Sequence, residues 1–529
     1  MPRLAFKTDS SFFRKIVVGA FGARAVCEDL ARHGHIFVEL ERGATNSKLW
    51  KDVKRKRVRI PDLVCLSCGK RIECRAKTNV ELSMSHSPTD ADRAWDFGMV
   101  DNDWIAFPIC QSDKDLDWTS GKLINEKSYW REKNWVEWKV NGHINYFTVE
   151  AFRSQVHARS RTKGVEEGSE NFIGWEATFS TRNGPVLTVD QKAGKITIAL
   201  TDGKRPFTWK VKQGTKIFVS AGDSVEKNQI IASTVSPIPK SQLNCSCNIP
   251  ANHIQNLLSS RERTQRFTGV KMARLRNEKQ YESKIQELAN DEEEDVYVRL
   301  EAVSYLVACC DHSAYEMFSP YLHSKDLQTQ LEAIITLGET GTAEAVKILS
   351  KIITNQMQAY FLRSAAAWSL GQIGSEQSNG ELVKAFANVD VALRFEALEN
   401  LIDVGGTICI ALLKGLSVAD ERIMAGCAEA LRQHQQLPDY VIQELLRNIR
   451  SQQPNKWIVW LIGHLPREQF NTAIAELQQT KPELHYAITL LWSFLESWIA
   501  QNWEVNISVA PPFDKDESYD STKTHSVFD

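Results

Sequence analysis

No stretch of the chain stays apolar for long enough to cross a bilayer; the best run, Ile488–Ala500, is short and carries Glu496. No membrane association is expected. An excess of charge of one sign is also missing. The 64 basic and 66 acidic side chains leave a formal net charge of −2, so no overall field draws the chain to a polyanion, and such attraction must come from local clusters. No secretory leader is read at the start. Eleven cysteines without one argue for reduced thiols in a cytoplasmic protein rather than a disulfide framework. What remains is 529 residues of ordinary globular composition, too long for one core and enough for about three domains.

The chemistry concentrates in residues 59–77, Arg-Ile-Pro-Asp-Leu-Val-Cys-Leu-Ser-Cys-Gly-Lys-Arg-Ile-Glu-Cys-Arg-Ala-Lys. Ile60–Leu66 and Ile72–Thr78 have strand character around a turn at Gly69, which predicts a β-hairpin. Alternation puts Glu73, Arg75 and Lys77 on one face and Ile72, Cys74 and Ala76 on the other. Folding the turn brings Asp62 near Glu73. Two carboxylates flanked by long cations suit a hard divalent ion and a scissile phosphate.

This pattern resembles the PD-(D/E)xK, restriction-endonuclease-like nuclease superfamily. Pro61 and Asp62 match its first half and Glu73 its acidic position, while Arg75 stands where the family has lysine and Lys77 follows two residues later. Residues 19–34 resemble the family's first helix, with Ala23 in place of its glutamate, and Ile36–Leu40 would be the first strand. The resemblance implies a magnesium- or manganese-dependent endonuclease, a hydrolase of phosphodiester bonds in DNA. Asp62 and Glu73 would hold the metal, and Lys77 assisted by Arg75 would polarise phosphate and water. By analogy with bacterial proteins of this build, it also implies antiviral defence against foreign DNA. Ala23 and Arg75 keep a second expectation open, a catalytically inactive nucleic-acid-binding adaptor whose C-terminal repeats recruit a partner.

Lys48, Lys51, Lys54, Arg55, Lys56, Arg57 and Arg59 form the sharpest basic cluster and lead straight into Asp62. They are the candidate phosphate contacts, with a solvated loop as the alternative. Cys65 and Cys68 bracket the turn as half of a zinc knuckle, with Cys245 and Cys247 as candidate partners and His253 as a weaker one; free thiols are the alternative. His86 is a candidate phosphate contact or a structural histidine. Trp118, Trp130, Trp135 and Trp138 fit a β-rich core or base stacking.

Ser160–Glu170 reads as a linker. Residues 172–236 alternate in strand fashion, and Gly214–Ala232 resembles the barrel-sandwich hybrid of lipoyl-like modules. Arg261–Arg276 holds six basic residues in sixteen, a second phosphate-binding face or an exposed connector. The acids Asp291–Asp295 cap the next helix or repel nucleic acid. From Val296, segments starting at Arg299, Gln330, Arg363 and Arg394 recur at intervals of 31, 33 and 31 residues, a period and pattern that resemble HEAT repeats. The expected organisation is multidomain. An α/β nuclease-like core spans 1–160, a small all-β domain 171–250, a helical connector 251–295, an all-α HEAT-type solenoid 296–505 and a disordered tail 506–529. A protein partner or a second copy would dock on the solenoid.

Overall fold

The computed structural model describes residues 10–45, 59–86, 94–112, 138–155, 159–162, 171–199, 205–310, 314–402, 406–434 and 437–502. The cations at 48–57, Trp118, Trp130, Trp135 and the tail from 506 lie outside them. The chain divides into two compact units, Met1–Phe318 and Ser319–Asp529.

The first unit opens with α1 (Ser10–Ala31), followed by β1 (Phe37–Glu39), β2 (Leu63–Cys65), β3 (Arg71–Cys74), β4 (Ser83–His86), β5 (Trp104–Phe107), β6 (Cys110–Ser112), β7 (Trp138–Val140), β8 (Asn145–Thr148) and α2 (Val149–Arg153). A five-stranded sheet runs β1-β2-β3-β5-β8. All its pairs are antiparallel except β3 with β5, where Glu73 lies opposite Ile105. The hairpin expected from Gly69 is therefore present, and its strands are shorter than the alternation predicts. One sheet face packs Leu63, Ile72, Trp104 and Tyr146 against Val26 and Leu30 of α1. A Cβ on Gly22 would come within 2.5 Å of Ala76 Cβ, so this position of α1 needs glycine for its close approach. The parallel crossover is tied by Arg71, whose Nε donates to Asp103 at 2.9 Å, with both side chains buried.

The other sheet face packs Ile105, Phe107 and Phe147 against Leu82, Met84, Trp175, Ile230 and Val235. The last three come from the β-rich region, which shares this core. Here β9 (Arg159–Thr162) and β10 (Asn171–Gly174) join β4 in a sheet of order β4-β10-β9. Residues 159–162 are thus a paired strand where a linker is expected, because the β10 backbone supplies partners that a polar sequence does not announce. Next come β11 (Ala177–Phe179), β12 (Gly184–Asp190), β13 (Lys195–Ile198), β14 (Phe207–Lys210), β15 (Lys216–Ile217), β16 (Ser224–Val225) and β17 (Ile230–Ser233). They form two small sheets, β11-β17-β15 and β14-β13-β12-β16, around Val186, Ile196, Ile198, Val225 and Ile231.

Four helices close the unit: α3 (His253–Leu258), α4 (Arg263–Leu275), α5 (Glu282–Asn290) and α6 (Val296–Tyr305). The basic run Arg261–Arg276 is not a free phosphate-binding face. Lys271 and Arg274 of α4 are buried, and Arg266 and Arg263 pair with Glu294 and Asp295. Asp295 also caps α6 by accepting the Tyr297 N–H at 2.9 Å, so the acidic run caps a helix as one expectation had it. Although the repeat pattern starts at Val296, α6 belongs to the first unit. Its buried Glu301 is held between Arg42 and Arg274, the latter at 2.7 Å.

The second unit runs α7 (Ser319–Leu322), α8 (Leu327–Glu339), α9 (Ala343–Thr354), α10 (Tyr360–Ile373), α11 (Glu376–Ala385), α12 (Val391–Leu401), α13 (Gly406–Gly415), α14 (Glu421–Arg432), α15 (Asp439–Arg450), α16 (Lys456–Ile462), α17 (Asn471–Thr480) and α18 (Pro482–Asn502). Asp326, Thr342, Ser375, Asp390 and Asp420 cap α8, α9, α11, α12 and α14 with their side chains. Neighbouring repeats are also joined by polar contacts, Arg363 Nη2 to Asn388 at 3.0 Å and Ser364 Oγ to Glu396 at 2.7 Å. A ladder of this kind fixes repeat-to-repeat register where apolar packing alone allows slippage. No helix among the described residues is long and apolar enough to cross a membrane.

Candidate functional site

The β2–β3 hairpin brings Asp62 and Glu73 together, as expected. Asp62 stands just before β2, where its Oδ2 accepts the Cys74 N–H at 2.6 Å. Glu73 lies in β3 with its side chain only 13% exposed and its Oε1 3.1 Å from Arg75 Nη2. A third acid joins them. Glu41 follows β1, and its N–H donates to the Asp62 carbonyl at 3.2 Å. Loss of water contact, then Glu73 and Glu41, push the Asp62 carboxyl well above the usual carboxylate range. Glu73 is also raised, by desolvation, against the opposing pull of Arg75 and Arg59. Acids crowded so that their charges oppose one another mark a place where a cation relieves repulsion.

A cleft of about 270 Å³ opens beside them, lined by Glu41, Arg59, Glu73, Arg75, His86 and Trp95 among others. Arg75 is fixed by donating to the Trp95 carbonyl at 3.1 Å. Yet its Nε, like His86 Nδ1, is buried and makes no hydrogen bond among the described residues. Lys77, expected to be the polarising cation, is directed elsewhere. Its Nζ donates to Ser83 Oγ at 3.0 Å and lies 3.6 Å from Glu81. The guanidinium beside the acids is Arg75. Ala23 is buried in α1 and offers no ligand; Glu41 is the further acid whose charge acts on Asp62, and no sequence signal pointed to it, since its backbone meets Asp62 only in the fold.

Of the four candidate cysteines, Cys65, Cys68 and Cys245 gather and Cys247 does not. Cys247 is exposed at φ +54° and donates its N–H to Cys245 Sγ at 3.3 Å. The fourth place is taken by His35, which lies in the turn between α1 and β1 and was not anticipated. His253 packs its ring over Gly69 and is not in the group. Trp138 is buried against Val17 and Val18 of α1, a core residue rather than a stacking platform.

Residues 316–402 match the family model of HEAT repeats. The C-terminal region thus contains HEAT repeats. No curated protein matches the chain. Among solved structures, human deoxyhypusine hydroxylase in complex with glycerol is 16% identical, covering 41% of this chain and 97% of that one with a TM-score of 0.18. The CpcE–CpcF complex of phycocyanin lyase from Nostoc sp. PCC7120 is 16% identical, covering 40% and 94% with a TM-score of 0.20. The Pds5–Scc1 complex is 13% identical, covering 46% and 44% with a TM-score of 0.24.

Proposed function

We propose that the chain is an adaptor whose N-terminal cleft holds the phosphodiester backbone of a nucleic acid while its HEAT array docks a protein partner. The observation that carries the first half is the lining of the cleft, which brings Arg59, Arg75 and His86 together around one cavity. Guanidinium and imidazole groups donate to phosphate oxygens, and such charge-assisted bonds are among the stronger ones a side chain makes. Trp95 and Phe97, which also line the cleft, suit the stacking of a base next to that phosphate. The HEAT match supports the second half, as do the exposed apolar residues Leu327, Met357, Val389 and Val418, which stand at or just before the starts of α8, α10, α12 and α14. The test of the cleft is fluorescence anisotropy of labelled single- and double-stranded DNA and RNA on the full chain without divalent metal. Arg75→Gln and His86→Ala should each weaken binding about tenfold, the equivalent of 1.4 kcal/mol. Unchanged affinity in both would reject the cleft as the binding site.

Cleavage is the second reading, favoured by the nearness of Asp62 to Glu73 across the hairpin. Magnesium or manganese would sit on these oxygens, where it supplies charge for the developing oxyanion. Arg75 would then release Glu73 to the metal and turn toward the phosphate. Incubation of DNA and RNA with manganese decides it: products that vanish in Glu73→Gln, with binding retained, establish an active nuclease.

A further inference from the structure

We infer that His35, Cys65, Cys68 and Cys245 form a structural zinc centre of three thiolates and one imidazole. This assignment is independent of what the cleft binds. The four ligand atoms lie within 4.8 Å of one another, and His35 and Cys65 are buried. A tetrahedral ion with Zn–S near 2.3 Å and Zn–N near 2.0 Å sets ligand edges of about 3.8 Å between sulfurs and about 3.5 Å between sulfur and nitrogen. The observed Cys65 Sγ–Cys245 Sγ distance is 4.0 Å and Cys68 Sγ–His35 Nδ1 is 3.6 Å.

The surroundings are built for thiolates. The N–H of Cys247 donates to Cys245 Sγ at 3.3 Å. Gly69, at φ +75°, makes the turn after Cys68 by donating its N–H to the Cys65 carbonyl at 2.8 Å. His35 Nε2 lies 2.9 Å from the buried Leu243 carbonyl. That acceptor takes the ring proton and leaves Nδ1 as the ligand, the usual outer support of a metal-bound histidine.

Cys65 and Cys245 are 180 residues apart. The ion would close a loop of that length, spanning the whole β-rich region, and hold the turn of the hairpin whose other end carries Asp62 and Glu73. The segment is already aligned for it, with the Cys245 N–H donating to the His33 carbonyl at 2.8 Å.

The test is elemental analysis of the full chain purified without chelator or added metal, with about one zinc per chain expected. Cys68→Ser and Cys245→Ser should lose most of that metal, whereas Cys247→Ser should keep it. Should the ligand variants fail to fold, the wild type suffices. Cobalt exchange should give the intense visible bands of a tetrahedral thiolate site, and a mercurial reagent should release the zinc as three thiols react. Folded wild-type protein without zinc overturns the proposal, as does a Cys65–Cys245 disulfide found by non-reducing mass spectrometry. Loss of metal in Cys247→Ser overturns the ligand set.

Discussion

The Asp62 carboxylate accepts the Cys74 amide proton at 2.6 Å, so the acid before one strand hangs from the residue next to the acid of the other. Asparagine at 62 keeps an oxygen for that bond and alanine does not. Asp62→Asn should therefore keep the thermal midpoint of the wild type, while Asp62→Ala, which strands the amide, should cost about 1–3 kcal/mol. In both variants the rise in thermal midpoint on adding manganese should disappear. A scanning fluorimetry series with and without manganese reads both effects. A manganese response that survives in Asp62→Asn would remove Asp62 from the metal ligands.

Arg71 and Asp103 make a second such relationship, wholly buried. Removing one partner of a buried ion pair leaves an uncompensated charge, so Asp103→Ala should destabilise the first unit by about 3–5 kcal/mol. The double variant Arg71→Met/Asp103→Leu should recover much of the loss. Urea titrations of the three proteins measure it, and an Asp103→Ala midpoint equal to wild type would show that the crossover is held by packing alone.

At Gly22 the close approach of Ala76 leaves no room for a methyl group. Gly22→Ala should cost about 1–3 kcal/mol through forced displacement of α1, and the combination with Ala76→Gly should restore part of it. Urea unfolding of both variants checks this.

His143 gives a pH dependence whose sign can be worked out. Burial holds its pKa below the ordinary 6.5, against the opposing pull of Glu226 and Asp29 and with Lys240 reinforcing the shift. The folded state thus binds fewer protons than the unfolded state just below pH 6.5. Stability from this group is complete above that value and is lost as pH falls through the depressed folded pKa. His143→Gln should flatten the fall in stability on the acid side of pH 6.5. Denaturant midpoints at half-unit pH steps measure the slope.

The HEAT repeats were legible because helix pairs write their period into the chain: the spacings that start at Arg299, Gln330, Arg363 and Arg394 are the spacings of α6, α8, α10 and α12. The hairpin was legible because Gly69 and the alternation around it are local signals. Glu41 and His35 were not, since each reaches its site through a strand pairing or a turn that joins residues far apart in sequence. The basic character of Arg261–Arg276 was visible, but charge alone does not say whether a cation faces solvent or a buried acid such as Glu301. The choice between Arg75 and Lys77 likewise rested on Ser83 and Glu81, which lie further along the chain than the hairpin and both cations.

Glu301, gripped by Arg42 and Arg274, decides where the protein can be divided. A fragment ending at residue 295, where the repeat period begins, would leave two buried guanidiniums facing each other without their anion. One ending after Phe318 keeps all three together. Anyone preparing the amino-terminal part by itself should therefore cut by the ion network rather than by the repeat, and carry the first repeat helix along as part of the globule it closes.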